Sequence, residues 1–124
     1  MPYTHKWNDD GVYIKYFDTL TTFDLVESNS LLVGKREFEV IKYIITDFSD
    51  ITNVEVDDND AALSTSFAEK VNPYNKHIKV ALVSNNTYLQ PLIKKYIEDT
   101  KNIIPHAEQE LFSNITEAKI WINS

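Results

Sequence analysis

Hydrophobic and polar positions alternate along the chain in a way that predicts strands and helices in turn. From Val12 to Phe17, Val12, Ile14 and Tyr16 fall on one side and Tyr13, Lys15 and Phe17 on the other, the period of a strand. Tyr3 to Trp7 is read as a short edge strand pairing with it, His5 on its exposed side. Thr21 or Thr22 then caps a helix running to about Val33, with Asp24 and Glu27 in its first turns and Gly34 as its stop. Glu39 to Phe48 is nearly continuously apolar, as in a strand covered on both faces. Asp47 to Asp60 reads as an acidic connection, and Asp57 to Asp60 caps a second helix reaching about Val71, with Leu63, Phe67 and Val71 on one face. His77 to Val83 is another buried strand. Asn85 to Thr87 caps a third helix, in which Leu89, Leu92, Ile93, Tyr96 and Ile97 recur at helical spacing and Pro91 is tolerated near the first turn. Glu108 to Phe112 is a short edge strand. Asn114, with Glu117 three residues on, opens the last helix, whose apolar side is Ala118, Trp121 and Ile122.

The alternation of strands and helices implies an α/β fold with a single mixed, mostly parallel sheet flanked by about four helices. A chain of 124 residues with no repeat and no linker-like stretch fits one domain over residues 1–124.

Composition narrows the function. The net charge of −7 disfavours nucleic acid and anionic membrane surfaces. The absence of cysteine removes disulfides, thiolate metal sites and cysteine nucleophiles. Met1 to Asp10 has no apolar core of a secretory signal, and no apolar run is long enough for a transmembrane segment, so a cytoplasmic location is expected.

The chemistry-bearing residues form no recognised constellation. Gly11 and Gly34 are isolated, which rules out a phosphate-cradling loop. His5, His77 and His106 are never at metal-pair spacing, and the acidic stretch from Asp47 to Asp60 fails the calcium-loop pattern. No metal and no cofactor is therefore expected. Asp47, at the end of the most apolar strand, is the best acid–base candidate, and hydrogen bonding to nearby backbone donors is its plainer role.

The stretches Leu20–Leu25, Ile41–Phe48 ending in Thr46-Asp47, Ile78–Val83 and Leu111–Ile122 together resemble the SpoIIAA-like, or STAS/SEC14-like, proteins of bacteria. The resemblance implies a non-catalytic regulatory or ligand-binding domain that takes a protein partner or a small apolar ligand, homodimerisation being compatible with it. Its binding residues would be Asp47, Ser49 and Asp50 at the strand end, with Tyr88 and Tyr96 on the third helix. Anti-sigma-factor antagonists of the wider group carry a phosphorylatable serine, to which Ser49 is nearest, although the usual following glycine is missing. The alternative to a non-catalytic module is a small enzyme or phospho-regulated switch using Asp47 or Ser49.

Overall fold

The computed structural model describes residues 2–56 and 77–124. Five strands form one sheet in chain order: β1 (Tyr3–Trp7), β2 (Gly11–Thr21), β3 (Tyr43–Glu55), β4 (Ile78–Val83) and β5 (Ala107–Phe112). β1 is antiparallel to β2, and the pairings β2–β3, β3–β4 and β4–β5 are parallel. Among the described residues, three helices accompany them: α1 (Thr22–Val33), α2 (Leu89–Thr100) and α3 (Ile115–Ile122). The helix expected from about residue 57 to 71 lies outside the described residues.

The opening hairpin is set by Asn8, whose Oδ1 accepts from the backbone N–H of Asp10 and of Gly11, both at 2.9 Å. Gly11 is required for close approach rather than for its backbone angles. A Cβ there would meet the Tyr43 ring at 2.6 Å, and the Tyr43 hydroxyl accepts from Asn8 Nδ2 at 2.6 Å.

Alternation sorts the sheet into two faces. On one, Val12, Ile14, Tyr16, Ile44, Phe48 and Ile78 are buried beneath α1 and α2, which contribute Leu32, Leu89 and Ile93. On the other, Ile45, Ala81 and Val83 pack under α3 through Ala118, bordered by Trp121 and Ile122. The helix starts follow the caps read from the sequence. Thr21 Oγ1 accepts from the Asp24 N–H, and Asn114 Oδ1 from the Glu117 N–H. Asn86, within the expected capping stretch, accepts from the N–H groups of Tyr88 and Leu89.

Three expectations need correction. Asp47 does not end its strand: β3 continues to Glu55, paired with an extension of β2 that reaches Thr21. Ile51 is buried there and Val54 packs on the core, while Ser49, Asp50, Thr52, Asn53 and Glu55 are exposed, so the acidic surface conceals a strand. Residues Arg36–Glu39 form a 3-10 turn that inserts Phe38, fully buried, so β3 begins at Tyr43 rather than Glu39. His5 does not face solvent: its Nε2 lies 2.7 Å from the Ser28 hydroxyl of α1.

The long β2–β3 pairing is irregular. Its register shifts near Phe17 and again at Asp18, whose φ of 60° is left-handed. Aspartate tolerates this region better than most residues. The Asp18 carbonyl accepts from Thr52 Oγ1 at 3.3 Å.

Candidate functional site: an apolar cavity between sheet and helices

A cavity of about 110 Å³ lies between the sheet and the pair α1 and α2. Its floor follows the strand period: Ile14 and Tyr16 on β2, Ile44 and Phe48 on β3, Val80 and Leu82 on β4. Parallel register sets Ile14, Thr46 and Leu82 in one row across the three strands. The walls follow the helical period. Leu25, Asn29 and Leu32 are spaced i, i+4, i+7 on α1, and Leu89, Leu92, Ile93 and Tyr96 share one side of α2.

Besides Tyr16, which is hydrogen-bonded to Ser28, three polar side chains interrupt this lining: Asn29, Thr46 and Tyr96. None of them makes a side-chain hydrogen bond to a described residue. Among the described lining residues there is no carboxylate, lysine, arginine or histidine. Both lining tyrosines are held neutral. Burial alone pushes the Tyr96 phenol well above its usual range. Burial does the same for Tyr16, against a smaller opposing effect from the Ser28 hydroxyl. An apolar concavity with a few convergent neutral polar groups is the usual make-up of a small-molecule site.

Asp47, Ser49 and Asp50 are brought together, but on the opposite face of the sheet. Asp47 is 2% exposed. Its Oδ2 accepts from the Tyr13 hydroxyl. Its Oδ1 accepts from the Ser49 N–H at 2.9 Å and the Ser49 hydroxyl at 2.6 Å. Asp50 pairs with Lys15 at 2.8 Å, and Lys15 also lies 5.7 Å from the Phe17 ring centroid. Burial, with the hydrogen bond to Asp47, pushes the Tyr13 phenol up. Both Asp47 oxygens are thus engaged, and the Ser49 hydroxyl is already donating. Ser49 sits inside β3, not at the start of a helix.

Tyr88 falls at a third place. It is 55% exposed, just before α2, and its hydroxyl donates to the Val56 carbonyl at 3.3 Å. The five residues singled out in the sequence therefore occupy three locations, and of them only Tyr96 borders the cavity.

The histidines are dispersed. His77 pairs with Glu108 at 2.8 Å on the surface, and His106 is exposed. His5 and Ser28 have the separation of a base and a nucleophile, but Ser28 is fully buried and out of reach of a substrate. Burial, and then the nearby Lys35 charge, hold the His5 imidazole below its usual pKa. Among the described residues, no group of three or more histidine or acidic side chains is placed to hold a metal ion. No helix among them is long and apolar enough to cross a membrane.

Asn29 and Thr46 were missed in the sequence, although each left a trace there. Asn29 is a polar residue at a core-facing position of α1, four residues after Leu25 and three before Leu32. Thr46 stands between Ile44 and Phe48 on the buried face of the most apolar strand. Tyr13 and Lys15, which complete the Asp47 cluster, are the alternate positions of β2, visible only once its register with β3 is known.

The sequence matches no family model and no curated protein. Solved structures do match it. One is a DUF3478-family protein with a SpoIIAA-like fold from Shewanella loihica PV-4, at a TM-score of 0.60 and 14% identity, covering 97% of this chain and 91% of that one. Another is the anti-sigma factor antagonist SpoIIAA in its unphosphorylated form, at a TM-score of 0.59 and 10% identity, covering 95% of this chain and 94% of that one. The chain has a SpoIIAA-like fold. At such identities the likeness carries the architecture expected from the resemblance. Function has to be argued from the side chains of this chain.

Proposed function

We propose that this SpoIIAA-like domain is a non-catalytic ligand-binding module that takes a small, largely apolar molecule into the cavity beneath α1 and α2. One observation carries the reading: an apolar cavity retains three polar side chains with no partner among the described residues, whereas the Asp47 cluster satisfies itself. A few neutral polar side chains at the wall of a largely apolar space give a guest groups to bond.

The test is a titration with toluene, a probe of apolar space, followed through backbone amide resonances. Saturable shifts are expected, centred on Thr46, Val80 and Tyr96. A Leu92→Trp variant, which fills the space, is expected to lose them. No saturable shift, or shifts unchanged in that variant, would count against the cavity as a binding site.

A second reading rests on the outer side of α1, where Phe23 and Leu31 are 70% and 50% exposed and Val26 lies between them in sequence. Apolar side chains presented in this way suit docking of a protein partner or a second copy of the chain. Sedimentation of the wild type beside a Phe23→Ser, Leu31→Ser double variant tests the self-association branch. A dimer lost in the variant supports it, and a monomer at all concentrations refutes it.

A further inference from the structure

We propose that the cavity selects an uncharged molecule the size of a single ring, carrying one hydrogen-bonding group, and that the Tyr96 hydroxyl is the side-chain group that recognises it. This deepens the ligand-binding reading above and rests on it. Three observations carry the class of ligand.

The first is size. The cavity measures about 110 Å³. An engineered apolar cavity of roughly 150 Å³ admits benzene. A space of this order suits a single ring or a short branched chain.

The second is charge. Every described lining side chain is neutral at pH 7, and the whole chain carries a net charge of −7. A carboxylate or phosphate guest would lose its water and meet no counter-charge, within a field that already repels anions. An ammonium guest would find no carboxylate among the described lining residues to pair with.

The third is polarity. Tyr96 projects from α2 into the cavity, and its hydroxyl makes no hydrogen bond to a described residue. Burial keeps that phenol protonated, so it can donate as well as accept. A purely apolar guest leaves it unpaired. A guest with a hydroxyl or carbonyl pairs with it, and a site built to bond such a group discriminates against an analogue without one. Asn29 on α1 and Thr46 on β3 supply further neutral donors and acceptors on the other walls.

The test uses the full chain at pH 7 and three probes of one ring size: toluene, benzyl alcohol and benzoate, with dissociation constants read by ligand-observed NMR. Benzyl alcohol is expected to bind roughly two- to tenfold more tightly than toluene, the usual worth of one net hydrogen bond. Benzoate is expected to bind at least about a hundredfold more weakly than benzyl alcohol, because its charge is buried unpaired. In Tyr96→Phe, benzyl alcohol is expected to fall to the level of toluene. Toluene binding retained by that variant shows that its fold and cavity are intact.

Benzoate binding within tenfold of benzyl alcohol would overturn the neutral class while leaving the cavity as a site. Equal binding of toluene and benzyl alcohol to the wild type, or a preference that survives Tyr96→Phe, would overturn the assignment to Tyr96. Failure of all three probes would overturn the ligand-binding reading itself.

Discussion

Val80 offers a sharp test of whether the space beneath α1 and α2 is real. It lies on β4, opposite Ile44 of β3, and its side chain lines the cavity. Val12 lies on β2, also opposite Ile44 and on the same face of the sheet. It is fully buried and does not border the cavity. Valine to isoleucine adds one methylene at either position and keeps the β-branching suited to a strand. At Val80 the added group enters unoccupied space, and burying it stabilises by about 0.8 kcal/mol. At Val12 it has to displace packed neighbours, which costs about 1–3 kcal/mol. The same substitution should therefore change sign between two strands of one face. Urea unfolding followed by far-UV circular dichroism resolves this. With a slope of about 2 kcal/mol per molar, Val80→Ile should raise the midpoint by roughly 0.4 M, and Val12→Ile should lower it by at least about 0.5 M. Val80→Ile should also weaken toluene binding, since it occupies part of the same space. A Val80→Ile midpoint lowered as far as that of Val12→Ile would refute the cavity argument, because the space would then be closed to one methylene.

Other features make independent predictions. Lys79 Nζ donates to the Trp121 carbonyl at 3.0 Å and the Ser124 carbonyl at 3.1 Å, and lies 5.1 Å from the Trp121 ring centroid. Lys79→Met should cost about 1 kcal/mol in urea unfolding and speed amide exchange in the last turn of α3, as expected for a cation removed from a helix C-terminus. The His5 imidazole is held below 6.5 by burial and Lys35, so the unfolded chain binds its proton more readily than the folded one. Its stability contribution is complete above about pH 6.5 and is lost as the pH falls towards the lowered folded value. Thermal melts between pH 7.5 and 5.5 should show that loss, and His5→Gln should flatten the profile. Asp18→Val would place a β-branched residue at a φ of 60°. It should destabilise by about 1–2 kcal/mol in urea unfolding, whereas Asp18→Gly should not.

The elements that were legible in the sequence are those written in local periodicity. Alternation from Val12 to Phe17, the helical spacing of Leu89, Leu92, Ile93 and Tyr96, and Asn114 ahead of Glu117 each describe a few neighbouring residues, and each recurs as an observed strand, helix face or cap. The end of β3 was not legible, because Ser49, Asp50, Asn53 and Glu55 have the composition of a loop. They are held extended by pairing with Phe17–Thr21, a partner some thirty residues away. Pairing of that kind overrides local preference. The role of His5 was hidden for a related reason: Ser28, its partner, belongs to the helix after the next strand. The cavity is of another kind again. A void is a mismatch between elements that each look regular alone, and its only trace in the sequence is a polar residue at a core-facing position, as at Asn29 and Thr46.

That mismatch has a structural source. β2 runs on until Thr21 stands opposite Glu55, whereas β4 stops at Val83 opposite Asp47. The two ends differ by the eight residues from Asp47 to Glu55, roughly 26 Å along β3. α1 and α2 leave the sheet from these staggered levels and return over the same face, so different heights of each helix meet over the row Ile14, Thr46 and Leu82. Filling the gap would take bulkier side chains at Val80 or Val56, the smallest apolar residues on its lining. On the other face the eight-residue α3 crosses with Ala118 near Ala81, both fully buried. Small residues there allow close approach, and the neighbouring polar side chains Tyr13, Asp47 and Ser49 bond to one another. Among the described residues, space and polar side chains without a side-chain partner therefore coincide on the face of α1 and α2, whereas the Asp47 cluster bonds within itself. That coincidence is why ligand binding is assigned to the α1–α2 face rather than to the acidic residues most conspicuous in the sequence.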